Sequence, residues 1–144
     1  MNSVHFSSKT PEWETPQALF DSLNKEFKFN LDPCATKANA KCKRFFTEKE
    51  NGLNERWHPS RVFMNPPYGR VIGRWVHKAW FEAQGGAVVV CLLPSRTDTK
   101  WFHDYILGKA EIRFLKGRLK FGGSENSAPF PSMVVIFKKN KKSK

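Results

Sequence analysis

The sequence predicts an α/β fold: one domain with a mostly parallel sheet, helices on its faces and an antiparallel C-terminal strand. Three observations predict it. The 144 residues suffice for one domain with a real core and not for two ordinary ones. Segments of strand and helix character alternate along the chain, which signals a right-handed, mostly parallel sheet. The run AVVVCLLP, residues 87–94, is apolar without interruption, as expected of a strand covered on both faces.

The elements follow in order. Thr15-Pro16 opens a helix, with Thr as a good N-cap and Pro as a good first helical residue. Leu19, Phe20, Leu23 and Phe27 then recur at helical spacing. In FKFNLDP, Phe27, Phe29 and Leu31 alternate as a strand entering Asp32-Pro33, and KRFFT reads as a second short strand. RVFM is a third, ended by Asn65-Pro66-Pro67 because proline cannot donate to a ladder. Ile72, Trp75, Val76, Ala79, Trp80 and Ala83 mark one face of an amphipathic helix closed by Gly85-Gly86. After AVVVCLLP, residues 97–107 read as a helix capped by Thr97, Asp98 or Thr99 and stopped by Gly108. AEIRFLKG and SMVVIFKK are the last strands. The turn-rich RLKFGGSENSAPFP joins them without a helix, so they should pair antiparallel.

Composition narrows the function. Lys and Arg number 25 against 13 acidic residues, a formal charge of +12, which is the footprint of a nucleic-acid binder. Beyond the basic KKNKKSK end, the excess falls in Lys37, Lys41, Lys43 and Arg44, in Arg70 and Arg74, and in Arg113, Lys116, Arg118 and Lys120. No run is apolar enough for a membrane helix, and no secretion signal opens the chain. Three cysteines without a CxxC pair read as reduced thiols in a cytoplasmic protein, and the four scattered histidines show no metal-ligand spacing.

In parallel sheets, ligands sit at the carboxyl ends of the strands. Asp32-Pro33, Glu48, Asn65-Pro66-Pro67-Tyr68 and Pro94-Ser95-Arg96 all fall there, so one crevice should gather them. The two prolines after Asn65 stiffen the backbone and offer no N–H. The Asn65 side-chain oxygen and the Pro66 carbonyl can then act as paired acceptors for an –NH2 group. Tyr68 adds a flat face for a planar ring. A conjugated amine is a poor nucleophile, because its lone pair is spread into the ring. Gripping both its hydrogens draws the pair back onto nitrogen, ready to attack an electrophilic carbon held in line. That chemistry is amino-group methylation, and it needs no strong base.

Nearly the whole chain resembles the small phage-type DNA N-6-adenine methyltransferases. The segments that carry the likeness are WETPQALFDSLNKEFKFNLDPCAT, NGLNERW, FMNPPYG, LLPSRTDTKWFH, GRLKFGG and APFPSMVVIF. Asn65-Pro66-Pro67-Tyr68 resembles the family's catalytic (Asp/Asn)-Pro-Pro-Tyr motif. The resemblance implies a single minimal Rossmann-like domain over residues 1–138, followed by a basic tail, 139–144. It implies S-adenosyl-L-methionine as cofactor, with Trp13, Thr15 and Pro16 near its methionine carboxylate and Asp32-Pro33 at its ammonium. Glu48 or Glu50 would meet its ribose. Asn51 stands where an Asp is expected to receive the cofactor's adenine amine. The chain departs from the general pattern in having CATKANAK, and no Gly-rich loop, after Asp32-Pro33.

The implied partner is double-stranded DNA, bound by a monomer or homodimer in the bacterial cytoplasm. A flipped adenine would lie on Tyr68 with Phe121 at its other face, and Arg70, Arg96 and Arg118 would hold phosphates. So small a chain leaves no room for a separate recognition domain, which implies a short or relaxed site or recognition shared by a dimer. Two rival readings are an amino-methyltransferase acting on RNA or a glutamine side chain, and a basic DNA-binding module without catalysis.

Overall fold

A computed structural model describes residues 14–122 and 126–139. Trp13 and residues 140–144 of the basic tail lie outside them. The architecture is mixed α/β. Helix α1 (Gln17–Phe27) is followed by a 3-10 turn at Gly52–Asn54, strand β1 (Arg61–Met64), helix α2 (Ile72–Gln84) and strand β2 (Val88–Pro94). A π-helical turn (Phe102–Ile106), β3 (Glu111–Phe114) and β4 (Ser132–Phe137) complete it.

The sheet order is β1-β2-β4-β3. β1 pairs parallel with β2 in the register Met64 to Cys91. β4 pairs antiparallel with both β2 (Leu93 to Met133) and β3 (Phe114 to Met133). The antiparallel pairing of the last two strands matches the sequence expectation. The expectation of a mostly parallel sheet is corrected: two of its three ladders are antiparallel.

The parallel half is short for a local reason. The strands expected at residues 27–31 and 43–47 shrink to two single parallel bridges, Leu31 to Val62 and Asp32 to Phe45. Phe27 is still helical, and Lys28 takes a left-handed turn (φ 56°) before the chain becomes extended. Pro33, with no N–H, then interrupts the pairing, and beyond it Ala35 N–H donates to Phe46 O at 3.0 Å without extending a strand. At the other segment Glu50 claims the Thr47 N–H.

Alternation along the strands divides the core between two faces. Val62, Met64, Val89, Cys91, Leu93, Met133, Val135 and Phe137 pack with Trp75, Val76 and Ala79 of α2. Phe63, Val90, Leu92, Val134 and Ile136 pack with Phe20 and Leu23 of α1. β2 is therefore covered on both sides, as its unbroken apolarity requires, and each such buried side chain contributes about 1.5–3 kcal/mol.

Two helix boundaries differ from expectation. α1 begins at Gln17 with Pro16 at the cap position and no side-chain capping bond, so Thr15 does not cap it. The helix expected over residues 97–107 starts only after Thr99, the last of its three candidate caps, whose hydroxyl accepts the Phe102 N–H. Its end is drawn into a wider turn by Leu107 N–H donating to Phe102 O.

Glu82 of α2 anchors the loop before β1. Its carboxylate accepts from the backbone N–H groups of Trp57 and His58 at 2.8 and 2.9 Å. It also meets His58 Nδ1 at 2.6 Å and Lys78 Nζ at 2.8 Å. Burial alone would push this carboxyl up. The bonds from Lys78, from both N–H groups and from the His58 ring outweigh it and bring Glu82 down to about 2.

Candidate active site

The strand directions put Asp32-Pro33, Asn65 to Tyr68, Ser95-Arg96, the turn after β3 and the entry to β4 at one end of the sheet. Sequence reasoning expected this convergence for the first three.

Asp32 is 5% exposed and carries its carboxylate inward. It accepts backbone N–H bonds from Cys34 (3.4 Å) and Lys41 (3.0 Å). The Lys41 ammonium turns instead to Gln17 and Glu14. Among the described residues no side-chain cation is ion-paired with Asp32. Burial dominates and pushes its carboxyl up to about 6, while the two N–H bonds and Lys41 pull the other way. A buried carboxylate that lacks a counter-cation suits a ligand that brings its own ammonium.

The Asp32-Pro33 loop is held by close backbone contact. A Cβ on Gly52 would collide with the Pro33 carbonyl oxygen, so only glycine fits there. Trp57 Nε1 donates to Gly52 O at 2.9 Å and fixes the same turn from beneath. Asn51, just before it, sits at φ 60° and accepts from Leu53 N–H. Glu50 closes its own turn by accepting from the N–H and hydroxyl of Thr47, at 2.6 and 2.7 Å. Glu48 is exposed.

Asn65 leaves the end of β1 directly beside this loop. Its backbone carbonyl accepts from the Cys34 thiol at 3.3 Å, and its Nδ2 donates to Thr15 Oγ1 at 2.9 Å. Pro66 is buried and Pro67 exposed. Tyr68 is half-buried, and its hydroxyl donates to the Leu92 carbonyl at 3.2 Å, which sets the ring against β2. Burial drives its phenol well above the ordinary value, so it stays neutral. Gly69, at φ 107°, turns the chain away towards α2.

Two phenylalanines meet the Tyr68 ring edge-on: Phe121 at 6.4 Å and 89°, and Phe130 at 5.6 Å and 64°. Phe121, 2% exposed, belongs to the apolar cluster under α1. It adjoins Tyr68 at right angles and is not stacked parallel to it. Phe130 is half-buried.

Arg70, Arg74, Arg96, Lys116, Arg118 and Lys120 are exposed. Among the described residues none of the six has an ion-pair partner. Arg113 differs. Its guanidinium is held bidentately by Glu26 at 2.7 and 2.8 Å and also meets Glu111. Its charge is committed to the fold.

The structure thus brings Thr15, Asp32, Pro33, Asn65, Tyr68 and Phe121 to one end, while Glu50 is engaged in its own turn. Sequence reasoning missed Cys34 and Phe130. Their signals were present: a thiol two residues after the buried carboxylate, and an aromatic locked between Pro129 and Pro131. Among the described residues no His, Cys, Asp and Glu cluster could hold a metal ion, and no helix is long and apolar enough to cross a membrane.

Comparison with known proteins finds a family model and relatives of the same description. The family model described as "DNA N-6-adenine-methyltransferase (Dam)" matches residues 3–144. A DNA N-6-adenine-methyltransferase of Haemophilus phage HP1 (strain HP1c1) is 31% identical over 133 residues, covering 87% of this chain and 77% of that protein. Another, from Escherichia phage T1, is 30% identical over 109 residues, covering 74% of this chain and 45% of that protein.

Proposed function

The chain belongs to the DNA N-6-adenine-methyltransferase (Dam) family and is an adenine-specific DNA methyltransferase; from that premise we propose how its residues do the work. The observation that carries the proposal is the position of Asn65-Pro66-Pro67-Tyr68, at the end of β1 beside buried Asp32.

S-adenosyl-L-methionine is the proposed methyl donor, and when bound it supplies an electrophilic methyl group on a sulfonium. Asp32 would hold its ammonium, which suits a buried carboxylate that is not ion-paired among the described residues. The backbone at Thr15-Pro16, just ahead of the α1 N-terminus, would face its carboxylate. The exposed Glu48 is then the better ribose partner, since Glu50 is spent on Thr47. The order of the bridges and strands, with parallel pairing on one side and β4 reversed, supports a minimal Rossmann-like domain.

The target adenine would be rotated out of the duplex, since its amine is otherwise inside the stack. Tyr68 would carry the base on its ring, which the bond to Leu92 O holds in place. Asn65 Oδ1 and the Pro66 carbonyl would accept the two amine hydrogens and concentrate the lone pair on nitrogen. Once alkylated, that nitrogen is acidic enough to lose its extra proton to water, so no strong base is needed. Arg70, Arg96 and Arg118 would hold phosphates around the site. We place the reaction in the bacterial cytoplasm, where phage DNA is replicated.

The test is incubation of DNA with tritiated S-adenosylmethionine. Asn65→Ala should lower label incorporation by about a hundredfold or more, as removal of a main electrostatic partner does. Equal label in variant and wild type would overturn the role of Asn65.

A further inference from the structure

Asn65 can serve as an acceptor only if its amide faces the right way. Its two ends are nearly equal in size and opposite in character: the oxygen accepts and the NH2 donates. Presenting the nitrogen to a nucleobase amine would set donor against donor. Something must hold the NH2 end away from the base.

We propose that Thr15 is a positioning residue that holds the Asn65 amide with its nitrogen turned aside and its oxygen towards the base. The proposal rests on the reading of Asn65 given above, but not on Thr15 touching the cofactor. Three observations carry it. Thr15 Oγ1 accepts from Asn65 Nδ2 at 2.9 Å, across fifty positions of sequence. Thr15 is 4% exposed, so water cannot readily replace the hydroxyl. The cap position of α1 falls to Pro16, and among the described residues the Thr15 hydroxyl has no bond to that helix beside the one to Asn65.

The Thr15 backbone is itself fixed nearby. Glu14 O accepts from Gly122 N–H at 2.8 Å, and the Glu14 side chain meets Lys41 at 3.8 Å. The segment before α1 is therefore tied to the loop after β3 and to the Asp32 loop. Such a support can hold a neighbouring rotamer.

The experiment compares wild type with Thr15→Val, Thr15→Ala and Thr15→Ser, reading kcat, KM for DNA and calorimetric affinity for S-adenosylmethionine. Val keeps the shape without the hydroxyl. Ala removes the hydroxyl without added bulk should Val not fold. Expected is a fall in kcat of about tenfold to a hundredfold in Val and Ala, the loss of one hydrogen bond's orientation. Cofactor affinity should stay within about twofold, and Ser should recover kcat to within about threefold.

The same substitutions in an Asn65→Asp background give a sharper readout, because a carboxylate has two equivalent oxygens and no amide to orient. There the Thr15→Val penalty should shrink to about threefold or less. An unchanged kcat in Thr15→Val overturns the proposal. So does a loss of cofactor affinity that accounts for the whole rate loss, or an equal penalty in both backgrounds. If Asn65→Asp is inactive, the split between kcat and cofactor affinity decides. Full activity in Asn65→Ala would instead remove the underlying reading, whatever Thr15 does.

Discussion

The Cys34 thiol donates to the Asn65 backbone carbonyl at 3.3 Å, joining the loop after Asp32 to the Asn-Pro-Pro-Tyr turn. Burial first, then the nearby Asp32 and Cys91, hold this thiol well above its ordinary value, so it is a protonated donor at neutral pH. Cys34→Ala should lower kcat/KM by about threefold to tenfold, one modest hydrogen bond, with Cys34→Ser milder. Wild-type Cys34 should react slowly with iodoacetamide at pH 8, measured by mass spectrometry of the labelled peptide. Rapid labelling without loss of activity would refute this role.

Asp32 should make stability depend on pH in an unusual direction. Its carboxyl rises from 3.8 to about 6 in the fold, chiefly through burial. The unfolded chain therefore releases this proton first, and the contribution of Asp32 to stability is lost as pH rises from about 4 to 6. Asp32→Asn should match wild type near pH 4 and exceed it at pH 7 by up to about 3 kcal/mol, read by urea unfolding. S-adenosylmethionine affinity should fall about tenfold per pH unit below 6 if its ammonium needs the ionised form. A flat difference between the two proteins would overturn the assignment.

Glu82 acts with the opposite sign. Its carboxyl lies at about 2 in the fold, so its contribution is full above 4.5 and lost as pH falls below that. Glu82→Ala strands the N–H groups of Trp57 and His58 and leaves Lys78 without its partner. The cost should be about 3–5 kcal/mol, lowering the melting temperature by roughly 10 °C. Calorimetric scans at pH 7 would show it.

The exposed arginines predict a salt effect. Log affinity for duplex DNA should fall linearly with log salt, and each of Arg70→Ala, Arg96→Ala and Arg118→Ala should reduce the slope by about one. Fluorescence anisotropy titrations at several salt concentrations measure this. Arg113→Ala should leave the slope unchanged, since Glu26 already neutralises that guanidinium.

Periodicity and turn chemistry made much of this molecule legible. RVFM, AVVVCLLP and the helix through Trp75 and Ala83 stand where their patterns put them, because each buries a continuous apolar face. Residues 27–31 misled because Phe29 packs its ring on Phe20 and Phe63 and Phe27 stacks on Phe29, leaving Leu31 a single bridge in place of a ladder. Thr15 read as a cap because a Thr-Pro pair is the usual local solution, and only tertiary structure shows its hydroxyl turned to Asn65. The buried state of Asp32 and the meeting of Tyr68 with Phe121 and Phe130 depend on loops far apart in sequence, which no local pattern encodes.

β4 is the last strand in sequence, yet it lies between β2 and β3. During synthesis β3 can have no sheet partner until residues 132–137 have left the ribosome, and one edge of β2 stays open until then. Assembly of the sheet is thus deferred until β4 emerges, and a nascent chain stalled before Ser132 would expose Val90 and Leu92 to chaperones or aggregation.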